Sequence, residues 1–285
     1  MAEIAYIVSD RRAGSTLLQN LLGQISGITA VGELRMLQGH LKREGPGESW
    51  DWRCSCREEL TACPLWSKIH ELMDLKSCRT RLDHSLFESH RVRECLQKYA
   101  LEGRLVAEDS LKILDAIRKI AKADLVVDSS KDAMQAYYLH AQRPASVRLI
   151  LLQRSIDELA YSKMKHREGR APGPLRMWAF MNRVGRQNRS IREVVDQIET
   201  SHVYRLTYKA LASDPRGEIR KLLGFLSFGP IPDQLPDSLE PQHDHSIGGT
   251  PSRFNSSPVR YDDKSASYFR KYPSLVYLTK KWQTD

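Results

Sequence analysis

The run Arg12-Ala13-Gly14-Ser15-Thr16 places a cation, a residue without a side chain and two hydroxyls in five consecutive positions. That set suits an anion. Gly14 lets the backbone approach, Ser15 and Thr16 bring hydroxyls and N–H groups to the start of a helix, and Arg12 brings charge. The nucleotide loop G-x-x-x-x-G-K-[ST] is not matched, because no Gly-Lys pair precedes Ser15, so ATP and GTP are demoted. Taken alone, the run also reads as an ordinary strand-to-helix turn with Ser15 as the helix cap.

Three further groups carry similar chemistry. Lys131 ends "VVDSSK", where a cation can reach the same anion; a solvated lysine in a first helical turn is the plainer reading of one lysine. Arg154 closes "VRLILLQR", and Ser162 follows eight positions later, so a bidentate guanidinium and a hydroxyl can meet one phosphate; otherwise Arg154 pairs with Asp157 or Glu158. "HSIGGTPSRF" sets glycines before Arg253, the pattern of a closing flap. Glu33, in "ITAVGELRML", is a candidate general base at the same edge as Arg12, or else a surface partner of Arg35; His40 and His245 are alternative bases.

These residues fall at the ends of elements that alternate along the chain. "IAYIV" reads as a strand, and Leu17, Leu18, Leu21, Leu22 and Ile25 recur with helical spacing. The alternation resumes with "LVVDSS", the helix carrying Met134 and Tyr138, "VRLILLQR", a long helix after Pro-Gly-Pro, "HVYRLTY" and the helix after Asp214-Pro215. Strands alternating with helices predict an α/β fold whose central parallel sheet is flanked by helices and binds ligands at the carboxyl ends of its strands. One domain spans residues 1–285. The irregular stretch from about 39 to 103 reads as a helical or irregular cap, where Trp50, Trp52 and Trp66 either shape an acceptor pocket or form a small core.

Lys+Arg 44 against Asp+Glu 35 leaves a net charge of +9, a balance suited to polyanionic ligands. No segment has the length and apolarity of a membrane span, no leader pattern opens the chain, and five cysteines fit a reducing compartment; a cytoplasmic protein is the expectation. Cys54, Cys56 and Cys63, with His70 nearby, raise the possibility of zinc. Cys-x-Cys followed by a third cysteine after six residues lacks the paired spacing of common zinc modules, so structural thiols or a local disulfide are the expectation, with no metal ligand assigned.

Together the motifs resemble the sulfotransferases that use 3′-phosphoadenosine 5′-phosphosulfate (PAPS), bacterial and Golgi-type members above all, which implies a three-layer P-loop-like fold. "RAGSTLL" is similar to the family's 5′-phosphosulfate loop, which implies that Arg12, Ala13, Gly14, Ser15 and Thr16 hold that group. "LLQRSIDELAYS" is similar to the 3′-phosphate segment and implies Arg154 and Ser162 as ligands, although the usual Arg-Asp-Pro is here Arg154-Ser155-Ile156. The resemblance further implies Lys131 on the sulfuryl group, Tyr208 near the adenine and Arg253 as a second 3′-phosphate ligand; Gly249 stands where the family has Asn. It implies Glu33 as base, with Arg12 and Lys131 stabilising the transferred group, an acceptor hydroxyl on a small molecule or glycan, PAP as product and no metal requirement.

Two rivals are kept. An ATP-dependent P-loop phosphotransferase needs a magnesium carboxylate, for which Asp128 is the candidate, and a basic nucleic-acid-binding protein fits the charge but shows no recognisable module.

Overall fold

Strand β1 (Ile4–Ser9) is buried along its whole length, and its side chains alternate between two cores. Ile4, Tyr6 and Val8 enter one core with the cap and the central helices, while Ala5 and Ile7 enter another beneath the first helix. Period-two alternation with apolar residues on both faces is the mark of a strand sandwiched between helical layers.

The computed structural model describes residues 2–43, 52–84, 92–169, 171–241, 245–250, 254–261 and 263–279. After β1 come α1 (Ser15–Gly23), β2 (Ile28–Gly32), α2 (Leu37–Lys42), α3 (Trp66–Leu72), α4 (Val92–Lys98), α5 (Ala100–Ala121), β3 (Leu125–Lys131) and α6 (Ala133–Gln142). Then follow β4 (Val147–Gln153), α7 (Ile156–Glu168), α8 (Pro174–Val195), β5 (Val203–Thr207), α9 (Tyr208–Ser213) and α10 (Pro215–Phe225). The tail adds the two-residue strands β6 (Ser238–Leu239) and β7 (Ser257–Pro258), then α11 (Ala266–Lys271) and α12 (Pro273–Thr279).

The five long strands form one parallel sheet in the order β2-β3-β1-β4-β5. The chain leaves β1 towards β2 and β3 on one side and later crosses to β4 and β5 on the other. The carboxyl end of β1 is therefore the switch point at which such sheets open a crevice. Val8 of β1 pairs with Lys131 of β3, and Ser9 pairs with Leu152 of β4, so the three strand ends lie side by side.

The cap packs onto the sheet rather than standing off it. Cys54, Leu60, Cys63, Leu65, Trp66 and Ile69 share one core with Tyr6, Val8 and Val126. Trp66 is 1% exposed, which removes it from any acceptor pocket and makes it core. Trp52 is half-buried with its ring edge against His40, and Trp50 lies outside the described residues.

Edge strand β2 is covered by the segment 245–250, where Gly32 bridges in parallel to Ile247; the Ile247 amide donates to Val31 O at 2.9 Å and the Glu33 amide to Ile247 O at 2.7 Å. The approach requires glycine, because Gly32 has φ of 80° and a Cβ there would stand 2.0 Å from the Ile247 carbonyl oxygen. Replacing Gly32 with Ala is expected to destabilise the fold by more than about 2 kcal/mol, combining left-handed strain with a backbone clash, as read from urea unfolding.

Candidate functional site

The turn after β1 is wound tightly enough to face an anion. Arg12 has φ of 73° and Gly14 has φ of 108°, so two of three consecutive residues are left-handed. Gly14 occupies the cap position of α1 with no side chain to cap it, which replaces Ser15 in that role; Ser15 is the first helical residue. The amides of the first turn of α1 have no side-chain cap, the usual condition of a helix end that receives an anion. Ala13, Ser15 and Thr16 are buried beneath the turn. A Cβ on Gly14 would lie 2.6 Å from the ring of Tyr208, so the absence of a side chain is what lets that ring close over the turn.

Arg154 comes from the end of β4 to the same place. Its Nη1 donates to the carbonyl oxygen of Arg12 at 3.3 Å, its guanidinium lies 4.2 Å from the centre of the Tyr208 ring, and its Nε donates to Glu158 Oε2 at 2.9 Å. Arg12 Nε in turn donates to Ser162 Oγ at 3.5 Å, so Arg12, Gly14, Arg154, Ser162 and Tyr208 form one contiguous group. Ser162 sits well inside α7, not at its start. Burial and the neighbouring Arg154 charge both press the Arg12 guanidinium below its ordinary pKa, with Tyr208 opposing them. Two guanidiniums held this close, against one paired carboxylate at Glu158, are an arrangement that a polyanion relieves. Arg253 lies outside the described residues.

On the other side of β1, Lys131 ends β3 with φ of 71°, a left-handed conformation unusual for a lysine. Its Nζ forms an ion pair with Glu33, and both side chains are largely buried, 12% and 15% exposed. The solvated-lysine alternative is thereby set aside. So is the pairing of Glu33 with Arg35, which instead meets Asp132 at 3.4 Å. The second partner of the carboxylate is the Gly249 amide, donating to Glu33 Oε1 at 3.0 Å. Burial alone would raise the Glu33 pKa, but the charge and hydrogen bond of Lys131, aided by Arg35 and Arg11, outweigh it and hold the carboxyl below its ordinary value. The next residue, Thr250, donates its amide to Thr16 Oγ1 at 3.4 Å, so one dipeptide touches both the carboxylate and the first turn of α1.

The other candidates are differently employed. His40 Nδ1 meets the Trp52 carbonyl oxygen at 2.8 Å. His245 turns its Nδ1 towards Cys63 Sγ at 3.2 Å, away from a role as base. Asp128, the magnesium carboxylate of the phosphotransferase alternative, is fully buried and accepts from the amide and hydroxyl of Ser130. Residues not singled out in the sequence also contribute. Asp10, just past β1, is paired with Lys163 at 2.5 Å and accepts from Gln187 and Asn188, which ties the turn to α7 and α8.

Desolvation pushes the Asp128 carboxyl up to about 7, partly offset by its bonds to Ser130. The folded state thus holds a proton that the unfolded chain releases near 3.8, and this carboxyl takes up to about 4 kcal/mol of stability away as pH rises from about 4 through 7. Asp128→Asn keeps an acceptor for Ser130 but cannot ionise. Its stability relative to wild type is expected to climb steadily between pH 5 and pH 8 in urea titrations; a pH-independent difference would contradict the assignment.

Among the described residues, no helix is long and apolar enough to cross a membrane. Residues 5–229 match the model of the sulfotransferase family. No curated protein aligns with the chain at a significant level. Among solved structures, the sulfotransferase domain from the curacin biosynthetic pathway superposes with a TM-score of 0.54 at 20% identity, covering 95% of this chain and 91% of that domain. The sulfotransferase domain of the olefin synthase of Synechococcus PCC 7002 superposes with a TM-score of 0.56 at 18% identity, covering 100% and 97%. The fold shared with those domains is the P-loop-like α/β architecture that the family resemblance implies. With its sheet, its turn after β1 and a family match over most of its length, the chain belongs to the sulfotransferase family.

Proposed function

We propose that the protein moves the sulfuryl group of PAPS to a hydroxyl of a small-molecule or glycan acceptor. The observation that carries this reading is the meeting of the turn after β1 with the end of β4, where Arg154 lies on the Arg12 carbonyl and over Tyr208. That meeting supplies two cationic cradles on adjoining strands, as a nucleotide with phosphates at both its 3′ and 5′ positions requires. PAPS supplies the sulfuryl group and departs as PAP.

Each residue then has a task. The turn 12–16 holds the 5′-phosphosulfate through Arg12, the amides after Gly14 and the Ser15 and Thr16 hydroxyls. Arg154 and Ser162, with Arg253, hold the 3′-phosphate, and Tyr208 offers its ring near the adenine. Glu33 takes the acceptor proton as the new S–O bond forms, and Arg12 and Lys131 balance charge that spreads onto the sulfuryl oxygens. In the pair Glu33–Lys131 each group blocks the other. Drawing Lys131 towards the sulfuryl group releases the carboxylate, and loss of that charge lets burial raise its basicity.

Thermal scanning with PAP, ATP plus magnesium and an RNA oligomer tests the donor. Stabilisation by PAP alone is expected; ATP with magnesium would favour the phosphotransferase, and salt-sensitive RNA binding the nucleic-acid reading. An acceptor screen with labelled PAPS then identifies the hydroxyl.

A further inference from the structure

The cap contains a cluster that the proposed transfer does not use. Cys54, Cys56, Cys63 and His245 each bring one ligand atom to a common point, and these atoms lie within 4.8 Å of one another. Cys54 Sγ and Cys63 Sγ are 3.6 Å apart, His245 Nδ1 is 3.2 Å from Cys63 Sγ and 4.0 Å from Cys54 Sγ, and none of these cysteines is in a disulfide. A tetrahedral zinc ion with Zn–S of about 2.3 Å and Zn–N of about 2.0–2.1 Å requires ligand separations of about 3.8 Å between sulfurs and about 3.6 Å from sulfur to nitrogen. The two sulfur–nitrogen distances bracket the second value, and the sulfur pair lies about 0.2 Å inside the first.

Backbone amides face the three sulfurs. The amide of Cys56 bonds to the Cys54 sulfur, that of Glu58 to the Cys56 sulfur, and those of Leu65 and Trp66 to the Cys63 sulfur. For each of the three cysteines, an amide two positions onward thus faces the sulfur, and Arg57 adopts φ of 72° within that turn. The histidine is also held. Trp66 Nε1 donates to the His245 carbonyl oxygen at 2.7 Å, and Ser55 and Ser246 exchange hydrogen bonds, each at 2.9 Å. Such outer contacts fix ligand orientation before a metal arrives.

We propose that Cys54, Cys56, Cys63 and His245 bind one structural zinc ion that fastens the cap to the segment 245–250. Three thiol protons pass to solvent on binding, and three thiolates with one neutral imidazole fill all four positions, leaving none for a substrate. His70, the sequence neighbour weighed for this role, is exposed on α3; the fourth ligand comes from 182 residues beyond Cys63. The ion acts on the site by position only: His245 lies four residues before Gly249, whose amide holds Glu33.

The experiment uses the full chain without a histidine tag, purified under reducing conditions in buffers free of chelator. Elemental analysis is expected to find one zinc per chain, retained in His70→Ala and reduced in Cys63→Ser and His245→Ala. Exchange with cobalt(II) is expected to give wild type the absorption of a tetrahedral thiolate site, a readout that needs neither turnover nor a folded variant. Folded wild type with less than about a tenth of an equivalent of zinc and no such cobalt spectrum would overturn the proposal, whether Cys54 and Cys63 are then free or joined. Because metal content is read apart from PAP binding, failure here leaves the donor assignment untouched.

Discussion

Replacing Lys131 with Met is expected to lower kcat by about 10²- to 10³-fold while leaving the Kd for PAP within about threefold of wild type. The asymmetry follows from position. Lys131 ends β3 on the flank of β1 opposite Arg154, beside the carboxylate rather than among the groups proposed to surround the nucleotide. The substitution also leaves Glu33 buried without its principal counter-charge, an imbalance that costs a few kcal/mol when one partner of a buried pair is removed. The double variant Lys131→Met with Glu33→Gln is expected to regain that stability and to be no less active than the single variants, because each alone already disables the pair. Isothermal titration with PAP and urea unfolding separate the two effects.

The pH dependence supplies a second readout. Glu33 is held below its ordinary value of 4.5, so its contribution to stability is complete above that pH and fades as pH falls through the lower folded value. Activity of the free enzyme should accordingly keep its acid limb below that of an ordinary glutamate. In the Lys131→Met variant the residual activity is expected to lose its acid limb at higher pH, since burial then dominates the carboxyl. An unchanged acid limb would remove Glu33 as the proton acceptor.

Arg154→Ala is expected to weaken PAP binding by about 10²-fold, the effect of removing a charge-assisted, stacked guanidinium from a phosphate. Wild type is expected to bind PAP far more tightly than AMP, which lacks the 3′-phosphate, and the variant to bind the two alike. Equal losses for both nucleotides would move Arg154 to the other phosphate. Glu158 complicates the reading: it is buried, pairs with Arg154 and accepts from the Tyr261 hydroxyl at 2.7 Å. Arg154→Ala together with Glu158→Gln removes the stranded carboxylate and should recover stability without recovering affinity. Arg154→Lys keeps the charge but loses the fork and the stacking on Tyr208, so about tenfold weaker binding is expected.

Much of this site is legible in short spans of sequence. The glycine turn before α1, the arginine ending β4 and the serine eight residues later are local features, and the alternation of strands with helices is enough to place them on one sheet edge. What escapes such a reading is contact across long separations. Nothing near Glu33 announces that its hydrogen-bond donor is Gly249, 216 residues away, because a backbone amide carries no side-chain signature. His245 is equally silent: a histidine in a Gly-rich stretch resembles a base or a loop residue until the covered edge of β2 brings it to Cys63. In sequence, Trp66 fits an acceptor pocket and a core equally, because aromatic residues serve both, and only its burial separates the two.

The register between β1 and β4 also sets a fixed gauge. Ser9 and Leu152 are register partners on adjacent strands, and Arg12 and Arg154 leave the sheet three and two residues later, so their spacing derives from the width of one strand pair, about 4.8 Å, and not from loop length. Insertions or deletions in the cap can therefore remodel whatever lies above the crevice while the interval between the two arginines stays constant. Change in the cap is mechanically uncoupled from the interval that the proposed donor would span.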